Sequence, residues 1–337
     1  MEDWRTLYQQ KLTTAEEAVK HIKSGDRVVV THATGEPILL TDAMVANAEQ
    51  YENVEVVHMV AMGKAEYCLP ENSKHFRHNS LFLGGSTRKA IEEGRGDFTP
   101  VFFSEIPELF RTTLHPNVVL LHLSTPDEHG YCSFGVSCDY TKPAAECADL
   151  LIAQINPKMP RTMGDSFIHV SKLDYIVEQE TDLIELAPPH IGDVERAIGE
   201  NIASLVKDGD CLQLGIGGMP NAIGSLIAQS DLKDLGVHTE MYVDAFVDIA
   251  KAGKINGSRK QLDKGRQVYA FGAGTQKMYD YLNDNPECMS APVDYTNDIR
   301  SISALDNFIS INNAVDIDLF GQVNAESAGV KLSLIHI

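Results

Sequence analysis

The sequence predicts an α/β protein built from two homologous open α/β domains with mostly parallel sheets. Two observations support this fold class. Short apolar runs of strand length alternate with helical patterns, which is typical of parallel sheets with helical crossovers. A glycine–aspartate pair that precedes a strand, Gly25-Asp26, recurs as Gly209-Asp210, 184 residues later. The length of 337 residues also exceeds the usual size of one hydrophobic core and suits two domains.

The first domain opens with a helical pattern and continues through several short strands. Thr13 and Glu16 stand at capping-box spacing, which predicts the start of a helix that closes at Gly25. The segment "RVVVTH" that follows has the β-branched composition of a strand. Further runs of strand length are "VEVVHMV", "LFLGG", "VVLLHLS" and "LLIAQI", with helical segments between several of them.

The second half of the chain repeats this order. After Gly209, "LQLGIGGMP" corresponds to "VVVTHATGEP", since each is a strand followed by a turn that contains proline. Further on, "YAFGAGTQKMY" corresponds to "LFLGGSTRKAI", and "NFISINNAVDIDLFGQVN" corresponds to "NVVLLHLSTPDEHGYCSFG". Chance similarity is the alternative, but four matches in one order favour two homologous domains. We assign them to residues 1–190 and 191–337, with the boundary near Pro188–Val194.

The composition argues against several classes of function. The net charge of −20 repels phosphate backbones, so the sequence predicts no nucleic-acid partner. No run approaches the roughly 18 consecutive apolar residues of a membrane-spanning helix, and the N-terminus lacks the apolar segment of a signal peptide. The six cysteines form no CxxC pair and no spaced metal array, which indicates free thiols in a reducing compartment. We therefore expect a cytoplasmic protein with no membrane partner.

The end of the chain is unusual. Residues Lys331–Ile337 stop on an apolar run with no turn or cap, and they resemble the translation of a sequencing adapter. We therefore expect that the natural chain continues, so that the C-terminus is truncated and the second domain is incomplete at its end.

Three loops of the second domain are expected to meet, because ligands in open α/β sheets bind beyond the carboxyl ends of the strands. The first, "LGIGGMPNAIGSL", has Gly215, Gly217 and Gly218, which leave backbone N–H groups accessible. Such a loop can bind an anion, or a carbonyl that becomes an oxyanion. A plain tight turn is the alternative.

The second loop contains Glu240, which we place between a short strand and the next helix. For a single glutamate, an acid at a helix start that is stabilised by the helix dipole is the simpler interpretation. The third loop is the small-residue turn in "FGAGTQKMYDYL". A fourth segment, "SINNAVDIDLFGQVNAES", places Asn312 and Asn313 at a strand end.

A dinucleotide-binding oxidoreductase is the main rival hypothesis. Gly215-x-Gly217-x-x-Pro220 is partly similar to the dinucleotide fingerprint, and Glu240 is an acid 25 residues after Gly215. The third glycine of that fingerprint, which helix–strand packing requires, is missing. The sequence also has no G-x-S-x-G motif, no coupled Cys/His arrangement and no support for a metal site.

These residues together resemble the family I CoA-transferases, in the acetyl-CoA hydrolase/transferase branch. The similarity extends over the chain up to about Gly329. The first domain is similar to 4-hydroxybutyrate CoA-transferases and the second to butyryl-CoA:acetate CoA-transferases. The stretches that support it are "SGDRVVV", "VFFSEIPELF", "TPDEHGYCSFGVSCDY", "LQLGIGGMPNAIGSLIA", "LGVHTEMYVDAFVD", "YAFGAGTQKMYDYL" and "NFISINNAVDIDLFGQVNAESAG".

The resemblance implies a reaction and a site. It implies transfer of CoA between a short-chain acyl-CoA, butyryl-CoA or 4-hydroxybutyryl-CoA, and acetate, as in butyrate and short-chain fatty-acid metabolism. The family nucleophile, the glutamate of the H-[ST]-E-M stretch, is Glu240 by position. A CoA thioester is then the substrate, no cofactor is permanently bound, and the protein is a homo-oligomer. The residues implied in CoA binding are Gln213, Leu214, Gly215, Ile216, Gly217, Gly218, Met219, Asn312 and Asn313.

A glutamate nucleophile accounts for the absence of a histidine partner. Its ordinary pKa of about 4.3 leaves it ionised at neutral pH, so it needs no general base. Two related functions stay open. An acyl-CoA hydrolase of the same family differs only in water access, and a non-enzymatic CoA-binding role would not require Glu240 and the glycine loop to be intact.

Overall fold

The computed structural model describes residues 3–187, 191–215, 218–328 and 331–332. The chain divides into two compact units. The first contains Met1–Thr162 and Ser166–Ile184, and the second contains Met163–Asp165 and Glu185–Ile337. Each unit is built on a parallel sheet accompanied by helices, so the predicted α/β class is confirmed. Among the described residues, no helix has both the length and the apolar character needed to cross a bilayer.

The first unit is built on a seven-stranded sheet. Its α-helices are α1 (Trp4–Lys11), α2 (Ala15–Val19), α3 (Ile38–Ala46), α4 (Arg88–Glu92), α5 (Ile106–Arg111) and α6 (Thr141–Cys147). Its strands are β1 (Arg27–Val30), β2 (Val54–His58), β3 (Phe76–Ser80), β4 (Gly96–Phe98), β5 (Val118–Leu123), β6 (Tyr131–Ser133), β7 (Leu150–Ile155), β8 (Phe167–His169) and β9 (Tyr175–Glu178). The sheet has the order β4-β3-β2-β1-β5-β7-β9 with parallel neighbours throughout, and β6 and β8 form a separate antiparallel pair.

The second unit is built on a five-stranded sheet. Its α-helices are α7 (Asp193–Ala203), α8 (Gly218–Gln229), α9 (Asp244–Lys251), α10 (Gln276–Leu282), α11 (Val293–Thr296) and α12 (Ile299–Ser303). Its strands are β10 (Cys211–Leu214), β11 (Gly236–Tyr242), β12 (Gln267–Gly272), β13 (Cys288–Ser290), β14 (Phe308–Ile311), β15 (Asp316–Ile317), β16 (Val323–Asn324), β17 (Ser327–Ala328) and β18 (Lys331–Leu332). The sheet order is β13-β12-β11-β10-β14, again with parallel neighbours, and β15–β16 and β17–β18 are antiparallel pairs.

The two sheets share one topology. In each unit the first strand lies inside the sheet, the next three are added in order on one side, and the fifth lies on the other side. The turns before β1 and β10 also match: Gly25 has a φ of +83° and Gly209 a φ of +84°, in the left-handed region that favours glycine. The N–H of Gly25 donates to the Glu52 carbonyl, and that of Gly209 to the Lys233 carbonyl. The predicted correspondence of the Gly25 and Gly209 turns, and of the strands that follow them, is thus confirmed.

The helix predicted after Thr13 is α2, and it begins one residue later than predicted. Thr14, not Thr13, caps α2 by accepting a hydrogen bond from a backbone N–H of its first turn. Thr13 instead donates its N–H to the Ile176 carbonyl of β9 at 2.9 Å, which holds it in line with the sheet. The helix also ends at Val19, well before Gly25. Pairing to a distant strand therefore determines where the cap stands.

The strand predicted over "LFLGG" was placed too late, because the strand is β3, which directly precedes it. β3 is rich in polar residues, yet its polar side chains are hydrogen-bonded inside the unit. His78 Nδ1 donates to the Val56 carbonyl at 3.0 Å, and Asn79 Nδ2 donates to Glu55 Oε1 at 2.8 Å. Buried polar groups with partners are tolerated in a sheet interior, so the apolar pattern alone gave the wrong segment.

The position of β11 determines where a ligand can reach the second sheet. β11 is the middle strand of five, and β12 beside it is buried along its whole length. Parallel sheets covered on both faces are accessible mainly at their strand ends. Of the seven residues of β11, all of which are described, Glu240 alone is partly exposed.

Candidate active site

A pocket of about 400 Å³ lies in the second unit, at the carboxyl ends of β10, β11 and β14. Six residues that the sequence assigned to the site line it together: Gln213, Leu214, Gly215, Glu240, Asn312 and Asn313. The other lining residues are His238, Met241, Phe271, Thr296, Asn297, Ile302, Phe308, Ser310 and Ala325. Residues far apart in the sequence thus meet at one sheet edge, as parallel topology requires.

Of the rest of the predicted glycine loop, the structure describes only the part from Gly218 onward. Ile216 and Gly217 lie outside the described residues. Gly218 and Met219 are the first two residues of α8, and Met219 is not among the lining residues. The loop therefore contributes to the described pocket through Gly215 and the end of β10.

Glu240 lies in a strand, which corrects the prediction of a loop. It is the fifth of seven residues of β11, and the next helix begins only at Asp244. The simpler interpretation of Glu240 as an acid at a helix start is therefore wrong as well. Side chains alternate along a strand, so His238 and Glu240 point to the same face. Glu240 therefore lies in a regular strand, close to the carboxyl end of β11.

The Glu240 carboxylate has a partner that sequence reasoning missed. Asn297 Nδ2 donates to Glu240 Oε2 at 2.7 Å. Asn297 follows α11, and its own N–H donates to the Val293 carbonyl at 3.0 Å, which caps that helix. Hydrogen bonds to an ionised acceptor are shorter and stronger than neutral ones. The amide therefore restrains the direction in which the carboxylate points.

His238 is a second group that the sequence left unassigned. Its imidazole is buried, and Nε2 lies 2.7 Å from the Thr296 carbonyl. Because a carbonyl only accepts, Nε2 carries the hydrogen and donates it. Burial lowers the pKa of His238, which favours the neutral ring. Its other nitrogen, Nδ1, has no hydrogen-bond partner among the described residues.

A network of amides and a hydroxyl covers another wall of the pocket. Gln213 Nε2 donates to Asn312 Oδ1 at 3.1 Å, and Asn312 Nδ2 donates back to Gln213 Oε1 at 3.0 Å. Ser310 Oγ also donates to Gln213 Oε1 at 2.6 Å. These residues face one another because β10 and β14 pair with Gln213 opposite Ser310. The pair presents exposed amide donors and acceptors to the pocket.

Gly215 permits the close approach of this network. A Cβ at position 215 would lie 3.0 Å from Asn312 Oδ1, which is tighter than ordinary contact. The Gly215 N–H donates to the Ile311 carbonyl at 3.0 Å. That donor is used inside the sheet, so the N–H of Gly215 is not available for the predicted oxyanion contact.

The third predicted loop is fastened to the start of α9. Thr275 donates its N–H to Asp244 Oδ2 and its hydroxyl to Asp244 Oδ1, each at 3.0 Å. From this segment only Phe271 lines the described pocket. The loop therefore stabilises the connection after β11 and does not present polar groups to the pocket.

The arrangement suits acyl chemistry at a carboxylate. A partly exposed carboxylate, restrained by an amide, lies in a pocket with both apolar and amide walls. Within the described ranges, no group of three or more His, Cys, Asp or Glu side chains is placed to hold a metal ion.

Comparison with known proteins identifies the family. The N-terminal domain model of the acetyl-CoA hydrolase/transferase family matches residues 1–188, and the C-terminal domain model matches residues 274–333. A 4-hydroxybutyrate coenzyme A transferase of Clostridium kluyveri is 53% identical over 330 residues, which cover 98% of this chain and 76% of that protein. A butyryl-CoA:acetate CoA-transferase of Anaerostipes caccae is 51% identical and covers 96% of this chain and 74% of that protein.

Solved structures agree with this assignment. The crystal structure of RipA from Yersinia pestis superposes with a TM-score of 0.92 at 36% identity, over 96% of this chain and 78% of that chain. A 4-hydroxybutyrate CoA-transferase from Porphyromonas gingivalis superposes with a TM-score of 0.85 at 40% identity, over 95% of this chain and 77% of that one. The resemblance predicted from the motifs is confirmed, and the chain belongs to the acetyl-CoA hydrolase/transferase family.

Proposed function

We propose that this protein is a CoA-transferase that moves CoA between a short-chain acyl-CoA, butyryl-CoA or 4-hydroxybutyryl-CoA, and acetate. The observation that carries this proposal is the Glu240 carboxylate, which lines the pocket with one oxygen held by Asn297. The relatives at 53% and 51% identity are named for these two reactions.

The reaction needs a nucleophile that conserves the energy of the thioester. The Glu240 carboxylate attacks the acyl carbonyl, the C–S bond breaks, and CoA thiolate leaves an acyl–glutamyl anhydride. The thiolate then attacks the glutamyl carbonyl and releases the first carboxylate, which forms a Glu240–CoA thioester. Acetate reverses these two steps and leaves as acetyl-CoA. No proton or electron is consumed, so neither a general base nor a redox cofactor is required.

The amide wall of the pocket suits the CoA moiety. The exposed amides of Gln213 and Asn312 can exchange their mutual hydrogen bonds for bonds to the amide groups of pantetheine. We include Asn313, Leu214 and Gly215 in the same role because they line the pocket. For Ile216, Gly217, Gly218 and Met219, CoA contact rests on the family resemblance.

Several finer points belong to the same proposal. We assign the domains to residues 1–190 and 191–337, and we propose a homo-oligomer without a resident cofactor on the strength of the resemblance. All six cysteines are free thiols, which is consistent with a reducing cytoplasm.

Trapping of the covalent intermediate tests the proposal. With butyryl-CoA and no acceptor acid, the Glu240–CoA thioester should accumulate. Borohydride or hydroxylamine should then inactivate the protein only after acyl-CoA has been added. Mass spectrometry should place the modification on the peptide that contains Glu240. Glu240→Ala should abolish both the adduct and the transfer while leaving CoA binding largely intact, because the pocket walls remain.

The matched control is Glu200→Ala, which removes an exposed carboxylate from α7, outside the pocket lining. It should behave as the unsubstituted protein. Glu240→Asp withdraws the carboxylate by about 1 Å, which can cost about 10²-fold in rate. Labelling of a different acid, or near-normal transfer by Glu240→Ala, would overturn the proposal. Rapid release of free CoA without acetate would instead identify a hydrolase.

A further inference from the structure

Three hydrogen bonds link four residues into a circuit that includes the Glu240 carboxylate and is completed by the main chain of β11. Asn297 Nδ2 donates to Glu240 Oε2 at 2.7 Å. The Thr296 hydroxyl donates to Asn297 Oδ1 at 2.9 Å. His238 Nε2 donates to the Thr296 carbonyl at 2.7 Å. Because His238 and Glu240 are both on β11, the circuit begins and ends on one strand.

The chemistry of the groups fixes every donor in this circuit. An ionised carboxylate only accepts, so the amide nitrogen of Asn297 must face Glu240. The amide oxygen then faces Thr296, whose hydroxyl has to donate. The Thr296 carbonyl only accepts, so His238 must carry its hydrogen on Nε2. The Thr296 hydroxyl is therefore the second group that holds the Asn297 side chain.

We propose that Thr296 is a positioning residue, whose hydroxyl restrains the Asn297 amide by donating to its oxygen while the amide nitrogen is bonded to Glu240. The inference rests on the proposed role of Glu240 as the nucleophile. His238 supports the arrangement by holding the main chain of Thr296 against β11.

Without the hydroxyl, the side-chain amide of Asn297 loses the bond that holds its oxygen and keeps only its bond to Glu240 among these two contacts. Water cannot easily replace the hydroxyl, because Thr296 is 2% exposed. The amide is then less restrained, and so is the direction of the carboxylate, although the pocket keeps its shape.

A pair of substitutions separates this role from simple packing. Thr296→Val keeps the branched shape and removes the hydroxyl, whereas Thr296→Ser keeps the hydroxyl and removes the methyl group. The rate of Glu240–CoA thioester formation at saturating butyryl-CoA is measured by quenching and peptide mass spectrometry. Binding of free CoA is measured by calorimetry.

Thr296→Val should form the thioester about tenfold more slowly, the effect expected when one hydrogen bond between uncharged groups is lost. Its affinity for CoA should stay within about twofold. Thr296→Ser should restore the rate to within about threefold of the unsubstituted protein. If Thr296→Val is normal and Thr296→Ser is slow, Thr296 acts by packing and the inference fails.

The failure of the inference can be distinguished from the failure of the proposed function. If the unsubstituted protein forms no thioester on Glu240 under the same conditions, the proposed nucleophile is wrong, and the inference falls with it. If the unsubstituted protein forms the thioester and both variants do so at its rate, Glu240 keeps its role and only the positioning role of Thr296 is refuted.

Discussion

Replacement of Asn297 by aspartate should change the pH at which Glu240 can act as a nucleophile. Asn297 lies 2.7 Å from the carboxylate, so Asn297→Asp places a second carboxylate against the first. Two carboxylates at this distance cannot both ionise freely, and the pair retains a proton over a range where one carboxylate alone would be charged. A protonated Glu240 is a poor nucleophile, so the reaction should then require a higher pH.

The distance sets the size of this effect. If the two groups relax to about 4 Å, their repulsion is about 1 kcal/mol in bulk water and about 4 kcal/mol at an effective dielectric constant of 20. Glu240 is partly exposed, and solvent screens such pairs, so about 2 kcal/mol is a suitable intermediate value. At 1.36 kcal/mol per pH unit, the half-maximal rate should move upward by about 1.5 units.

The assay is the rate of Glu240–CoA thioester formation at saturating butyryl-CoA, measured at several pH values. Asn297→Leu is the matched control, because it removes the hydrogen bond without adding charge. It should lower the rate by about tenfold or more and raise the midpoint by less than Asn297→Asp does, because it removes a hydrogen bond to the ionised form without adding a charge. The reasoning is refuted if Asn297→Asp and Asn297→Leu give the same midpoint, since Asn297 would then not face Glu240 in the working protein.

Two further predictions concern the buried Glu36 of the first unit and the pocket wall formed by Gln213 and Asn312. Burial raises the pKa of Glu36 to about 7, while hydrogen bonds from the Met62 and Gly63 N–H groups to one of its oxygens oppose this shift. The native state thus binds the proton of the Glu36 carboxyl more tightly than the unfolded chain does. The resulting contribution to the free energy of unfolding is complete below the unfolded-state pKa of about 4.5 and is lost as the pH rises through about 7. In urea unfolding, the stability of the unsubstituted protein relative to Glu36→Gln should therefore increase by about 2 kcal/mol between pH 7 and pH 5, and a pH-independent difference would contradict the burial argument. Gly215→Ala should displace the Asn312 amide, which lies 3.0 Å from the added Cβ, and should weaken CoA binding by about fivefold in calorimetry, the loss of about one hydrogen bond; unchanged affinity would remove this wall from the CoA site.

The fold was largely predictable because it is repeated in the sequence. The segments after Gly25 and Gly209 match in sequence, and the structure gives them equivalent strands. The errors fall where a tertiary contact outweighs a local pattern. Thr13 pairs with β9 and so is not the helix cap, and β3 is a polar segment that becomes a strand because its side chains find partners.

The candidate site was predictable only in part. Glu240 came from a motif, but its placement in a loop was wrong, although alternation in "VHTEMYV" could have indicated a strand with His238 and Glu240 on one face. Asn297 lies 57 residues after Glu240 in the sequence, and Thr296 directly precedes Asn297. No local signal connects these residues with Glu240, because the contact arises from the position of α11 against the sheet.

The shared topology also brings polar groups to the strand ends of the first unit. Glu36 follows β1, and its carboxylate accepts hydrogen bonds from the N–H groups of Met62 and Gly63, which follow β2, at 2.9 and 2.8 Å. Glu36 is 2% exposed. His32, also beyond β1, is buried and lies 3.0 Å from the Asp139 carboxylate. These polar groups at the strand ends therefore interact with one another inside the unit.

In the second unit, the polar groups at the corresponding sheet edge line a pocket and are not enclosed within the unit. Gln213, Glu240 and Asn312 lie at the ends of β10, β11 and β14, and all three line the pocket. A partly exposed carboxylate there is bonded by one oxygen to Asn297, whereas the carboxylate of Glu36 is enclosed by its own unit. Duplication of the topology thus accounts for two similar sheets, but chemistry depends on which polar groups stay accessible at the strand ends. This is why a repeated sequence pattern predicts both folds, while the motif for acyl transfer is found in one unit.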